Sequence, residues 1–260
     1  MNKITLVGAG NLAWHLAESL ESAGYAIAEV YSRELRNANL LAQRTYNATP
    51  TNHLDFKDSE ADFFFICVPD NAIKEIVLEI QLPPNAILVH TSGAEPLATL
   101  SGKNVSIGVF YPLQTFTKGR KLDFGGIPIC VESDEKNTVE LLVQIAQSIS
   151  KNVYEINSEE RAVLHLAAVF ACNFTNHLLT ISKQIMEQQQ LDFEMLQPLI
   201  KETIEKALRI GPENGQTGPA KRADSFTLIA HQSLLQKQFP ADFLEVYEII
   251  SKNITNFYCH

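Results

Sequence analysis

Along the first part of the chain, short apolar runs alternate with stretches in which apolar residues recur at helical spacing. Lys3–Val7, Ile27–Tyr31, Asp62–Val68, Ala86–His90, Ser106–Phe110 and Ile127–Glu132 read as strands. Between the first two, Leu12, Leu16 and Leu20 place one apolar stripe on a helix over Asn11–Ser22, and Gly24 follows as its stop signal. Strand, turn, helix and strand are thus complete by Tyr31. The pattern predicts an α/β domain over residues 1–155, a doubly wound parallel sheet with helices on both faces.

After Ile156 the alternation stops and long amphipathic stretches take over, which predicts an all-α C-terminal domain over residues 156–260. Asn157 and Glu160 have the spacing of a capping box and open a helix from Ser158 towards Gln189. At ~1.5 Å per residue it would be about 50 Å long. That exceeds what a small domain needs, so a homodimer through the C-terminal helices is expected. Glu194–Ile210, Asp224–Gln236 and Ala241–Lys252 are further helices, the first two separated by Gly211-Pro212 through Gly218-Pro219. The nearly apolar run Val163–Cys172 is half of the ~20 residues a membrane crossing requires, and it reads as a buried helix.

Composition narrows the function classes. A hydrophobic share of 45% and a charged share of 20% exclude disorder and fibrous repeats. The 21 Lys and Arg against 30 Asp and Glu leave a net charge of −9, which opposes binding by phosphate neutralisation over a wide surface. Neither nucleic acid nor membrane is expected as a partner. Cys67, Cys130, Cys172 and Cys259 are far apart without paired spacing, so reduced thiols are expected rather than a metal site or a disulfide framework. The start is apolar for a few residues like a signal peptide, but Gly8, Gly10, Asn11 and His15 interrupt it, and a cytoplasmic location is expected.

The turn after the first strand carries the candidate chemistry. Gly8-Ala9-Gly10-Asn11-Leu12-Ala13 is a dinucleotide fingerprint with Ala in the third small position. Gly8 permits the tight turn, Gly10 lets the backbone approach a pyrophosphate, and Ala13 keeps the helix close to the strand. The helix start at Asn11 and Leu12 then offers N–H donors and a partial positive charge. This context, strand before and helix after, makes the domain Rossmann-like.

The second strand ends in Val30-Tyr31-Ser32-Arg33, where an NAD site would place an acid on the ribose. A hydroxyl and a guanidinium, Ser32 and Arg33, suit a 2′-phosphate and favour NADP. In the alternative, Arg33 only begins an exposed helix and Glu29 is the ribose acid. Three more strand ends fall on the same side of the sheet: Val68-Pro69-Asp70-Asn71, His90-Thr91-Ser92-Gly93-Ala94 and Phe110-Tyr111-Pro112-Leu113-Gln114-Thr115-Phe116. Val68 and Pro69 would stand near the nicotinamide ribose, while Thr91 and Ser92 offer hydroxyls to a ribose, carboxamide or substrate beside a flexible Gly. The third segment either walls the pocket or is an ordinary connection.

In the second half His165 and Asn173 lie eight positions, ~80°, apart on a helix and would border one groove. Buried polar groups need partners, and either a ligand or a neighbouring carbonyl can serve. The loop Gly215–Asp224 holds Asp224 as an N-cap, and Arg222 either reaches an anionic substrate or clamps a partner subunit.

Taken together, GAGNLA, YSR, CVPDNAI, HTSGA, YPLQTF, HLAAVFACNFTNHL and GPAKRAD resemble bacterial NADP oxidoreductases that join a Rossmann-like domain to a helical C-terminal domain, sometimes labelled deazaflavin-dependent. The resemblance covers essentially the whole chain. In plan the group is similar to pyrroline-5-carboxylate reductase and, more distantly, to the 6-phosphogluconate and 3-hydroxyacid dehydrogenases, whose helical domains build the dimer and complete the active site. The hydroxyacid relatives carry a Lys one turn before the Asn of the long helix, and this chain has Val169 there. The resemblance therefore implies reduction of a small polar imine or carbonyl compound bound between the domains. His165 would supply a proton, Asn173 would orient the substrate, and Arg222 would come from the second subunit. The alternative is a non-catalytic NADP(H)-binding redox sensor.

Overall fold

The computed structural model describes residues 3–258. They cluster into two compact units that divide between Val169 and Phe170. The first unit is built from β1 (Lys3–Val7), α1 (Asn11–Ser22), β2 (Ala26–Tyr31), α2 (Leu35–Ala42), β3 (Thr49–Thr51), β4 (Phe63–Ile66), α3 (Asp70–Glu79), β5 (Ile87–His90), β6 (Ser106–Pro112), β7 (Ile129–Glu132), α4 (Lys136–Ile149), β8 (Val153–Glu155) and α5 (Ser158–Ala168).

Its eight strands lie in the order β3-β2-β1-β4-β5-β6-β7-β8. Neighbours run parallel except β6 and β7, which are antiparallel; β8 is parallel to β7, so the expected doubly wound sheet ends in two reversed strands. The order turns back between β1 and β4, the point where open α/β sheets bind ligands. In register, Tyr31, Val7, Ile66 and His90 form one row across β2, β1, β4 and β5. The turns that follow these strands therefore stand side by side at one edge of the sheet.

Phe63-Phe64-Phe65-Ile66 is buried throughout, as a strand covered on both faces must be. Phe63 and Phe65 join Leu16 and Leu20 of α1 and Leu142 of α4 in one core layer. Phe64 and Ile66 join Ile73, Ile76 and Val77 of α3 in the other. Each apolar stripe thus finds its face of the sheet through the two-residue period of the strand.

α5 opens with the expected capping box between Asn157 and Glu160. It is fastened to the sheet by Arg161, a fully buried cation. That guanidinium pairs with Glu132 of β7 and donates to the Glu95 carbonyl at 2.6 Å. Ser158 adds a hydroxyl bond to Glu132 at 2.8 Å, and the Leu97 N–H donates to the Ser158 hydroxyl at 2.9 Å. These bonds explain why α5, which the sequence pattern assigns to the C-terminal domain, clusters with the sheet.

The second unit holds α6 (Thr175–Gln188), α7 (Gln197–Ile210), the short α8 (Pro212–Gly215), α9 (Ser225–Gln238) and α10 (Ala241–Tyr258). A π-helical segment, Val169–Phe174, joins α5 to α6, so the helical rod is unbroken over Ser158–Gln188. Asp224 caps α9 through the Thr227 N–H at 3.1 Å. Among the described residues of this unit only Ala220, Leu235 and Phe243 are buried apolar side chains. The expectation of a buried helix over Val163–Cys172 is corrected here: Val163 is 69% exposed and Phe170 62%, because no element of the single chain covers that face. By length and composition the whole rod is apolar enough to cross a membrane, which the ten-residue run does not show. Cys67, Cys130 and Cys172 are free thiols, and Cys259 lies outside the described residues.

Candidate functional site

Beyond the switch point lies a cavity of about 380 Å³. Gly8, Ala9 and Gly10 line it after β1, Ser32 and Arg33 after β2, and Cys67, Val68 and Pro69 after β4. Glu75 and Glu79 of α3, and Lys118 from the loop after β6, complete its rim. Six of the cofactor-binding residues expected from sequence, Gly8, Gly10, Ser32, Arg33, Val68 and Pro69, are thereby brought together. Asn11 and Leu12 open α1 directly behind Gly10, which caps the helix without a side chain.

The two glycines act differently. Gly8 has φ +131°, and a Cβ there would fall 2.4 Å from the Cys67 carbonyl oxygen, so the turn itself demands glycine. At Gly10 a Cβ would come no nearer than 3.8 Å to the rest of the protein, so internal packing makes no such demand. A bare backbone that packing does not require, lining a cavity at a helix N-terminus, fits a pyrophosphate pressed against it.

At the end of β2 the alternative acid is engaged elsewhere. Glu29 accepts hydrogen bonds from Thr5 and, at 2.8 Å, from the Ser59 hydroxyl. α2 begins at Leu35 with Glu34 as its N-cap, so Arg33 precedes the helix and faces the cavity beside Ser32. Tyr31, also in the lining, has its phenol pushed up by burial first and by Glu79 second, with Arg33 opposing. A cation and a hydroxyl at this corner fit a 2′-phosphate better than a bare ribose diol.

The turn after β5 is constructed differently from expectation. The Thr91 hydroxyl donates to the Ile66 carbonyl at 2.9 Å, and the Ser92 oxygen accepts from the N–H groups of Ala94 and Glu95 at 3.1 and 2.9 Å. Both side chains are buried and hold the turn, so the donor of Thr91 and the acceptor capacity of Ser92 serve the scaffold. Their contribution is to place Gly93. A Cβ on Gly93 would lie 2.6 Å from Nδ1 of His165 and 2.7 Å from Cζ of Tyr111, so its bareness lets these two rings meet.

His165 Nδ1 and the Tyr111 hydroxyl are 3.1 Å apart, with the rings edge to face. Burial pushes the Tyr111 phenol up to about 12, with Cys130 and Asp70 adding and Arg161 opposing. Asp70 opens α3 next to Pro69, which ties the pair electrostatically to the turn that lines the cavity. The sequence reading lists Tyr111 only as a possible wall and gives Lys118 no role. Tyr111 is one letter of YPLQTF and Lys118 lies outside the motifs; Tyr111 is placed by β6, and Lys118 by the loop that folds back over α1.

Asn173 and Arg222 belong to the second unit. Both are exposed, Asn173 on the π-helical turn and Arg222 ahead of the Asp224 cap. The ~80° relation of His165 to Asn173 assumes an unbroken α-helical period, and the π segment between them changes that period.

Comparison with known proteins places this geometry in a family. Residues 3–93 match the family described as NADP oxidoreductase coenzyme F420-dependent, and residues 127–254 match the domain of unknown function DUF2520. No curated protein matches the chain. Among solved structures, a Bacteroides fragilis protein assigned as an NADP oxidoreductase is 36% identical, covering 98% of each chain with a TM-score of 0.87. A Thermotoga maritima protein is 27% identical over 97% of each chain, with a TM-score of 0.69. The reductive aminase of Aspergillus terreus, solved with NADPH and ethyl levulinate, is 12% identical with a TM-score of 0.72; it covers 98% of this chain and is itself covered to 94%, and shares the fold. With its fingerprint, its Ser-Arg corner and the match along the whole chain, this protein belongs to the NADP oxidoreductase family in which an N-terminal domain of the coenzyme F420-dependent type is joined to a DUF2520 domain.

Proposed function

We propose that this NADP oxidoreductase transfers a hydride to or from a small polar imine or carbonyl compound. What carries the reading is the single cavity in which fingerprint glycines, Ser32, Arg33, Val68 and Pro69 stand together while Glu29 is bonded elsewhere. Gly8 to Leu12 would hold the pyrophosphate, and Ser32 and Arg33 the 2′-phosphate. When bound, the cofactor supplies or accepts the hydride through its nicotinamide ring.

Reduction of C=N or C=O also consumes a proton, and the Tyr111–His165 pair, set beside the turn after β5, is suited to deliver one. Tyr111 stays protonated at neutral pH because burial holds its phenol up to about 12. It gives the proton from Oη as a protonated His165 replaces it from Nδ1, 3.1 Å away, and ends neutral. Imidazole suits the second role because each of its two ring nitrogens can carry a proton or accept one. The Aspergillus terreus relative, with NADPH and a keto ester, supports the substrate class by analogy of fold.

We also propose a homodimer through the C-terminal helices. Three buried apolar side chains cannot hold the described part of a second unit of this length, and Val163, Leu166, Phe170 and Phe174 form an exposed stripe along one helix.

The cofactor reading is tested by titrating the protein with NADPH and NADH, following energy transfer from Trp14, the single tryptophan. NADPH should bind more tightly, and Arg33→Ala should remove the preference while leaving NADH affinity within about twofold. Absence of binding by both would overturn the reading.

A further inference from the structure

We infer that Lys118 is the pyrophosphate clamp of this protein, a binding residue separate from the 2′-phosphate corner; the inference rests on the cofactor reading above. Lys118 lies on the loop that leaves β6, and this loop folds back over the start of α1. The Thr117 carbonyl is 2.9 Å from Nε2 of His15, and the Phe116 ring lies 5.8 Å from both His15 and Phe124. These contacts seat the loop on the fingerprint helix and fix where its next residue points. The Lys118 ammonium donates to the Ala9 carbonyl at 2.9 Å, inside the fingerprint itself, and lines the cavity.

The cation there is not neutralised. Among the described residues no carboxylate pairs with Lys118, and its other neighbour is the Trp14 ring, 5.1 Å away. Arg44 lies over the same ring at 4.6 Å, so two cations share one indole, but only Lys118 lines the cavity. A backbone carbonyl and a ring face are weak partners for an ammonium, and a pyrophosphate oxygen beside Gly10 is a stronger one. On binding, the ammonium turns from the Ala9 carbonyl to the phosphate and adds a point charge to the N–H donors of α1. Arg33 stands after β2, at a different corner of the cavity, so the two cations serve different phosphates.

This division of labour is measurable by calorimetry with three ligands. NADPH carries both phosphate features, NADH lacks the 2′-phosphate, and adenosine 2′-monophosphate has the 2′-phosphate with no 5′-phosphate. Lys118→Met keeps the stem over Trp14 and removes the charge. It should weaken NADPH and NADH by a similar factor, about tenfold or more, and leave adenosine 2′-monophosphate unchanged. Arg33→Ala should weaken NADPH and adenosine 2′-monophosphate and spare NADH, and Lys118→Arg should keep most of the affinity. Equal dinucleotide affinities in wild type and Lys118→Met, with unchanged thermal unfolding, would overturn the inference. So would a loss confined to NADPH and adenosine 2′-monophosphate, which would move Lys118 to the 2′-phosphate. Failure of the wild type to bind NADPH would be a different result, against the cofactor reading itself.

Discussion

Gly93 matters through the atom it lacks. Its backbone is not left-handed, so the turn does not need glycine for conformational freedom; the room is taken by His165 and Tyr111, whose atoms would lie 2.6 and 2.7 Å from a Cβ. Gly93→Ala should push the two rings off their hydrogen bond without touching the cofactor cavity. Turnover of a reducible imine or carbonyl should fall about 10²-fold, the usual cost of misplacing a catalytic group by ~1 Å. NADPH affinity should remain as in wild type, and His165→Gln should show the same split. Unchanged turnover in both variants would remove the pair from the mechanism. The HTSGA string shows that a small residue is present, but sequence cannot say that rings from β6 and α5 are what it makes room for. The Ser-Arg corner was legible because its neighbours are local: a strand end, a missing acid and a guanidinium lie within a few residues.

At the scale of elements, β1, β4 and β5 were legible because both faces are buried and their apolar runs are continuous or nearly so. β3, Thr49-Pro50-Thr51, and β8, Val153–Glu155, were not, since they are three-residue strands at the two edges of the sheet where little apolar surface is required. The reversed direction of β7 and β8 leaves no mark in their composition. The junction of β5 with α5 carries a charge effect that composition also hides. His90, at the end of β5, is fully buried, and its imidazole is pushed down to about 3, by burial first and by the Arg161 charge second. In the unfolded chain the ring titrates near 6.5. Between those values the unfolded chain holds a proton that the folded chain lacks. Stability from this residue is therefore complete above pH 6.5 and declines as pH falls towards 3, by at most ~1.4 kcal/mol per pH unit. Urea unfolding at pH 7 and pH 5 should show wild type losing up to about 2 kcal/mol more than His90→Asn, which has no titrating ring. Parallel pH dependences would mean that His90 is protonated in the folded state.

For the whole molecule, the division of buried residues between the two units sets the final expectation. The sheet unit has two core layers, whereas the helical unit has three buried apolar side chains among its described residues. Sequence periodicity finds such helices correctly but cannot tell a face that meets its own chain from one that meets a copy. The length of the Ser158–Gln188 rod was the only hint, and the exposed stripe along it supplies the physical reason. A second copy laid on that stripe would withdraw Val163, Leu166, Phe170 and Phe174 from water, each contributing ~1.5–3 kcal/mol when fully buried. Folding of the helical unit is then coupled to association, and the thermal midpoint must rise with protein concentration. Light scattering should give about twice the 29.0 kDa chain mass. Phe170→Asp should shift the mass to that of one chain and lower the midpoint, because a carboxylate in the seam would be buried without a partner. A wild-type mass of one chain with a midpoint independent of concentration would overturn the dimer, and sedimentation of that species with lipid vesicles would assign the stripe to a membrane surface instead.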